Sequence, residues 1–198
     1  MRFAHRLLFI RHGETDWNVA GRLQGQRDIP LNARGCDQAT AAGRTVRKII
    51  GADAVGSALA YVASPRGRAR QTMELARAAL GLPPQAYAMD ARLMELSFGS
   101  WEGLTWPEVQ ARAPEAAVAR ETRKWDFVPP GGESYAMLAL RVAPWLDELD
   151  GDTLVVSHGG VARVLMALIG GVAHERASVS NIWQGRLLVF GSGGFSWL

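Results

Sequence analysis

Short apolar runs without polar alternation frame this chain. Leu7–Ile10 (L-L-F-I), Leu59–Ala63 (L-A-Y-V-A) and Thr153–Ser157 (T-L-V-V-S) are three of them. Runs of this length suit strands buried on both faces of a parallel sheet. A further short strand is expected around Ala86–Asp90. Val179–Trp183 and Leu187–Phe190, joined through Gln184-Gly185-Arg186, suggest a closing hairpin. Helical signals fill the gaps. Asn32 is a fair N-cap for a helix to about Ile50, and Ser64-Pro65 opens one from about Arg66 to Leu80. Thr105 and Glu108 have capping-box spacing, with Pro107 in the first turn. Ala111–Phe127 reads as partly helical, interrupted at Pro114. Another helix spans about Ser134–Leu149 with a bend near Pro144, and Val161–Ile169 forms a mostly apolar one.

Strands alternating with helices predict an α/β fold: a three-layer α/β/α domain with a mostly parallel central sheet. Asn18–Leu31 reads as a functional loop, Leu93–Gly103 as irregular and Pro129–Gly132 as a firm break. The expected organisation is one domain over residues 1–198. Residues 93–130 form a small lid subdomain over the C-terminal ends of the strands.

Composition narrows the function. The 198 residues are 48% hydrophobic and 21% charged, as in ordinary globular proteins. One cysteine, Cys36, excludes an intrachain disulfide framework and fits a reducing compartment. The N-terminal apolar run is too short for a secretory signal, and no run approaches a membrane span, so a cytoplasmic location and no membrane partner are expected. A net charge of +3 rests on scattered arginines, with only Lys48 and Lys124 as lysines. Nucleic acid is therefore not an expected partner. Oligomeric state is not legible.

The chemistry lies at the ends of two apolar runs. Leu7–Ile10 stops at Arg11-His12-Gly13, and Thr153–Ser157 stops at His158-Gly159-Gly160. If both strands are central and parallel, both imidazoles emerge at the edge where open α/β sheets bind ligands. The glycines after His158 offer backbone N–H groups to an anion at a helix start. Arginine supplies a second component. In Ser64-Pro65-Arg66-Gly67-Arg68-Ala69-Arg70-Gln71-Thr72, Arg66 and Arg70 are one turn apart, with Arg68 about 160° away. The three cannot share a pocket, and spacing alone does not choose among them. A carboxylate is the third component. Glu95 has apolar neighbours, which tend to raise a carboxyl pKa, but Glu102 lies close by.

These segments resemble the histidine phosphatase superfamily, the phosphoglycerate-mutase-like enzymes. R-H-G-E-T at 11–15, Asn18 and G-R-L-Q-G at 21–25 resemble its opening. S-x-x-x-R-A-x-Q-T at 64–72 and L-x-E-x-x-F-G-x-W-E-G at 93–103 resemble later segments, and Asp28–Asn32, Gly131–Ser134 and Val155–Gly160 follow in order. The resemblance selects Arg68 over Arg66 and Arg70, and Glu95 over Glu102. It implies a metal-independent phosphomonoester hydrolase without cofactor, acting on a small phosphorylated metabolite. His12 would be the nucleophile forming a phosphohistidine, with Arg11, Arg68 and His158 on the phosphoryl oxygens and Glu95 as general acid. A carbonyl would hold one His12 N–H and fix the tautomer. Asn18, Arg22, Gln24, Gly25 and Gly159 make up the expected substrate-binding set.

Two alternatives are a cofactor-dependent phosphoglycerate-type mutase and a phosphate-binding regulatory module without turnover. Mutases of the family are typically longer, with a cationic insert. Here residues 104–130 carry Arg112, Arg120, Arg123 and Lys124 against Glu108, Glu115, Glu121 and Asp126, with no net charge. Trp101, Trp106, Trp125 and Phe127 either form lid core or meet an aromatic leaving group.

Overall fold

A computed structural model describes residues 4–51 and 54–198. Its centre is β1 (Leu7–Arg11), in which Leu7, Leu8, Phe9 and Ile10 are at most 1% exposed. The chain continues through α1 (Asp16–Val19), α2 (Ala33–Ile50), β2 (Ala60–Ala63), α3 (Gly67–Leu80) and β3 (Ala88–Met89). Two short 3₁₀ turns, α4 (Trp106–Arg112), α5 (Pro114–Thr122) and α6 (Tyr135–Asp147) follow. Then come β4 (Thr153–Ser157), α7 (Gly159–Leu168), α8 (His174–Val179), β5 (Leu187–Gly191) and β6 (Gly194–Trp197).

The six strands are ordered β3-β2-β4-β1-β5-β6. β1 to β4 run parallel, and β5 and β6 add an antiparallel edge. Alternation along β1 explains the unbroken apolar run. Leu7 and Phe9 face a core built with Leu138, Val142 and Trp145 of α6 and Val161, Val164 and Leu165 of α7. Leu8 and Ile10 face the opposite core, with Val46 of α2 and Ala69, Met73 and Ala76 of α3. Each such buried large side chain contributes roughly 1.5–3 kcal/mol. A third, smaller cluster joins Trp101, Val109 and Ala117, flanked by Trp106 and Phe127.

The caps of α2 and α4 follow the sequence reading. Asn32 accepts from Gly35 N, and Thr105 and Glu108 form the capping box. Ser64 does not cap α3: the N-cap position is Arg66, without a side-chain bond, and the Ser64 hydroxyl turns to His158 instead. Three further expectations need correction. The hairpin joins β5 to β6, not residues 179–183 to 187–190, because Gly194, with φ of +109°, allows the tight reversal there. Residues 180–186 instead cross the sheet end, burying Ile182. α7 starts at Gly159 rather than Val161, so both glycines belong to the helix. Asn18 lies within α1, where Thr15 and Asn18 cap one another, rather than opening an irregular loop.

Candidate active site

β1 and β4 pair with Arg11 opposite Ser157, and the next residue on each strand is a histidine. His12 N donates to Ser157 O at 2.8 Å. The two imidazoles therefore leave the sheet side by side, buried, with ring centroids 5.2 Å apart. His12 Nδ1 lies 2.8 Å from Gly13 O. A carbonyl only accepts, so Nδ1 carries the proton and Nε2 keeps its lone pair. His158 Nε2 lies 2.7 Å from the Ser64 hydroxyl, while Nδ1 is buried without a protein partner. Burial, then the charges of Arg68 and Arg11, hold His12 well below the usual imidazole range. Burial, Arg68, His12 and Arg11 do the same to His158. Both rings are neutral at pH 7.

Arg68 is fully buried on α3 and donates to Arg27 O at 2.6 Å and Gly25 O at 2.7 Å. Arg11 donates to Ile182 O at 2.8 Å. These carbonyls orient the guanidinium groups without neutralising them. Burial lowers Arg11 to about 10, with Glu95 opposing the shift, so it stays charged at neutral pH. The Nε atoms of Arg11 and Arg68 are buried without protein partners. Those two, with His158 Nδ1, form a donor set suited to a tetrahedral oxyanion. The Arg66 Nε is likewise buried without a protein partner, but neither Arg66 nor Arg70 lines the cavity around His12. Arg66 reaches Gln26 Oε1 at 3.3 Å, and Arg70 is exposed.

Glu95 Oε1 accepts from Leu96 N and from Gly160 N, each at 2.9 Å, which ties the carboxylate to the start of α7. Its backbone is clamped by Arg141, which donates to Met94 O at 2.9 Å and Glu95 O at 3.1 Å. Arg141 is held in turn by Glu133 at 2.8 and 2.9 Å. Glu102 serves structure instead, with Oε1 accepting from Gln26 N at 2.9 Å. Gly25, at φ of +52°, has no room for a Cβ, which would lie 2.1 Å from Glu102 Oε1.

A cavity of about 150 Å³ is lined by Arg11, His12, Asn18, Arg22, Gln24, Gly25, Arg68, Glu95 and Gly159, together with Leu23, Phe98 and Arg163. Every expected site residue is on that wall except His158, whose ring centroid lies 5.2 Å from that of His12. Trp101, Trp106, Trp125 and Phe127 are absent from it and pack as core. Sequence reasoning missed four contributors. Arg163 is the lone basic residue in the apolar α7, one turn after Gly159, and that isolation was its signal. Phe98 lay within the resembling segment, and Ser64 was read only as a helix cap. Gln184 donates to His12 O at 3.2 Å and to Asn18 Oδ1 at 2.9 Å. With Thr15 N also donating to Asn18 Oδ1, the Asn18 Nδ2 is the group left for a ligand.

A parallel sheet with two neutral histidines and paired arginines at its carboxyl edge defines a phosphate-ester enzyme. The chain belongs to the histidine phosphatase superfamily (branch 1), whose family model matches residues 7–191. It is 36% identical over 180 residues to a glucosyl-3-phosphoglycerate phosphatase of Mycobacterium tuberculosis, covering 84% of this chain and 75% of that protein. It is 30% identical over 191 residues to a 2,3-bisphosphoglycerate-dependent phosphoglycerate mutase of Beijerinckia indica, covering 93% and 90%. A mycobacterial glucosyl-3-phosphoglycerate phosphatase solved in complex with VO3 superposes with a TM-score of 0.79 at 28% identity, covering 98% of each chain. By family and by these relatives the protein is a phosphatase, and the mutases match less closely.

Proposed function

We propose that the protein hydrolyses a small phosphorylated metabolite through a phosphohistidine on His12. The observation that carries this reading is the Nδ1 bond to Gly13 O, which leaves a neutral Nε2 as a nucleophile beside two unneutralised guanidiniums. Nε2 forms the N–P bond as the P–O ester bond breaks. Glu95 gives its proton to the departing alkoxide. Water then attacks phosphorus, Glu95 takes a proton from it, and the N–P bond breaks to leave inorganic phosphate and neutral His12. Arg11, Arg68 and His158 Nδ1 donate to the non-bridging oxygens, with the Ser64 hydroxyl donating to His158 Nε2 to hold that tautomer.

Asn18 Nδ2, Gly159 N and Gln24 complete the phosphate pocket, and Arg22 with Gly25 shapes its mouth. Guanidinium charge takes the place a divalent cation holds in other phosphoryl-transfer sites, so the reaction is metal-independent. The whole chain works as one domain with residues 93–130 as its lid. The single cysteine suits work in the reducing cytoplasm. The relatives that act on glucosyl-3-phosphoglycerate support a phosphorylated metabolite as substrate.

Rapid-quench labelling with a phosphorylated substrate tests the reading. An acid-labile label on His12, lost together with phosphate release in His12→Ala, is expected, because no neighbouring side chain can attack in line. A label on His158 in the unmodified protein would reverse the two roles.

A further inference from the structure

The segment between α8 and β5 lies outside every stretch that resembles the family, yet it meets the site repeatedly. Residues 180–186 cross the sheet end as neither helix nor strand. Ile182 O accepts from Arg11 Nη1 at 2.8 Å. Two residues on, Gln184 Nε2 donates to His12 O at 3.2 Å and to Asn18 Oδ1 at 2.9 Å. Trp183, exposed between them, sets its ring edge-on to Trp197 at 4.8 Å, with the Arg186 guanidinium 5.3 Å away. Gly185 then turns with φ of +73° against Gln38, whose Oε1 accepts from Glu14 N at 2.9 Å. The chain is thus pinned on both sides of Gln184. A primary amide nitrogen carries two N–H donors, and here they serve the carbonyl of the nucleophile and the side-chain oxygen of Asn18. Asn18 Oδ1 also accepts from Thr15 N and the Thr15 hydroxyl, each at 3.1 Å, but both of those bonds are internal to the α1 cap. Gln184 reaches Asn18 from 166 residues away. The two ends of an amide have nearly the same shape, so the polarity of their neighbours decides which end faces a ligand.

We propose that Gln184 is a positioning residue of the phosphate pocket. It holds the Asn18 amide with Nδ2 toward the phosphoryl group and, through the same nitrogen, fixes that donor relative to His12. Asn18 lines the cavity and Gln184 does not, so Gln184 acts through Asn18 and not on the substrate. A neutral donor placed this way adds a hydrogen bond to the phosphoryl oxygens without adding charge to a pocket already held by Arg11 and Arg68. This inference rests on the hydrolase reading above and adds to it a residue from a separate part of the chain.

The test follows nitrophenyl phosphate hydrolysis, with inorganic phosphate as the competing ligand. Gln184→Met keeps the length of the side chain and removes both donors. KM and the inhibition constant for phosphate should rise together by about tenfold, the worth of one or two neutral hydrogen bonds, with a smaller fall in kcat. In an Asn18→Ala background the same replacement should change KM by less than about threefold, because the group it positions is gone. Equal factors in the two backgrounds would overturn the proposal, since a merely structural loss adds independently of Asn18. Gln184→Glu is the second variant and sets acceptors against His12 O and Asn18 Oδ1. Relative to the unmodified protein, its KM should be raised more than that of the methionine variant at pH 7.5. The excess should shrink at pH 5.5, because facing acceptor oxygens raise a carboxyl pKa and the protonated group regains a donor. An unaltered KM in the glutamate variant would also overturn the assignment. Failure of the unmodified protein to release phosphate would instead remove the hydrolase reading on which the role of Gln184 depends.

Discussion

Two neutral imidazoles set the chemistry at the scale of single residues. A free histidine protonates near 6.5, whereas His12 and His158 are held well below that by burial and by Arg68. Their NMR signals should keep neutral shifts from pH 7.5 to 5.5, and a titration near 6.5 in either would contradict the site electrostatics. The same displacement sets a stability trend. Between 6.5 and the folded values the unfolded chain binds more protons, so stability is full above 6.5 and declines as pH falls below it. The urea midpoint should therefore be lower at pH 5.5 than at 7.5, above the range where carboxylates titrate. Equal midpoints would speak against it. Glu95 offers a separate check. Glu95→Gln should slow an alkyl phosphate by ~10²–10⁴, the usual worth of a general acid. The loss should be smaller for a nitrophenyl phosphate, whose leaving group departs unaided. Equal losses would make Glu95 a binding residue.

Elements turn those residues into a site. The matched register of β1 and β4 puts His12 and His158 level, and any one-residue slip would send them to opposite faces. α7 then aims its first N–H groups at the cavity, with Gly160 N holding Glu95. Gly160→Ala tests that contact. A Cβ there would lie 2.3 Å from Glu95 Oε1 and must displace the carboxylate. Alanine favours the helix by up to about 1 kcal/mol, so the fold should survive. The expected result is a drop of ~10² in kcat for an alkyl phosphate with the thermal midpoint nearly unchanged. An unaltered kcat would show that Glu95 need not sit where α7 holds it.

The whole molecule decides between hydrolysis and transfer. A mutase must keep its phosphohistidine from water while the substrate reorients. Here Arg22, tied to Gly103 O at 2.6 Å, and the short segment 104–130 give one small cavity rather than a long cationic cleft. Incubation with 3-phosphoglycerate and a bisphosphate primer should yield inorganic phosphate, with little 2-phosphoglycerate. Efficient interconversion without phosphate release would place the chain with its mutase relatives. The paired strand-histidine-glycine segments, the α/β layering and the helix caps were legible in the linear chain, because burial on two faces and capping leave local patterns. Spacing alone could not choose Arg68 from Arg66 and Arg70, nor Glu95 from Glu102. The resemblance chose for it, and only packing explains the choice. Arg68 is the arginine turned into the core toward Gly25 and Arg27 carbonyls, and Glu95 the acid within reach of α7. Ser64 and Gln184 went unseen for the same reason. Each reaches a histidine from a distant part of the chain, and such a contact leaves no periodic trace in sequence. The hairpin was misplaced because residues 179–183 carry an apolar pattern whose buried member, Ile182, serves Arg11 through its carbonyl rather than a strand. Local pattern determined which segments would form sheet, helix and turn; the register of the strands decided which side chains meet, because proximity across the sheet depends on pairing and not on order along the chain.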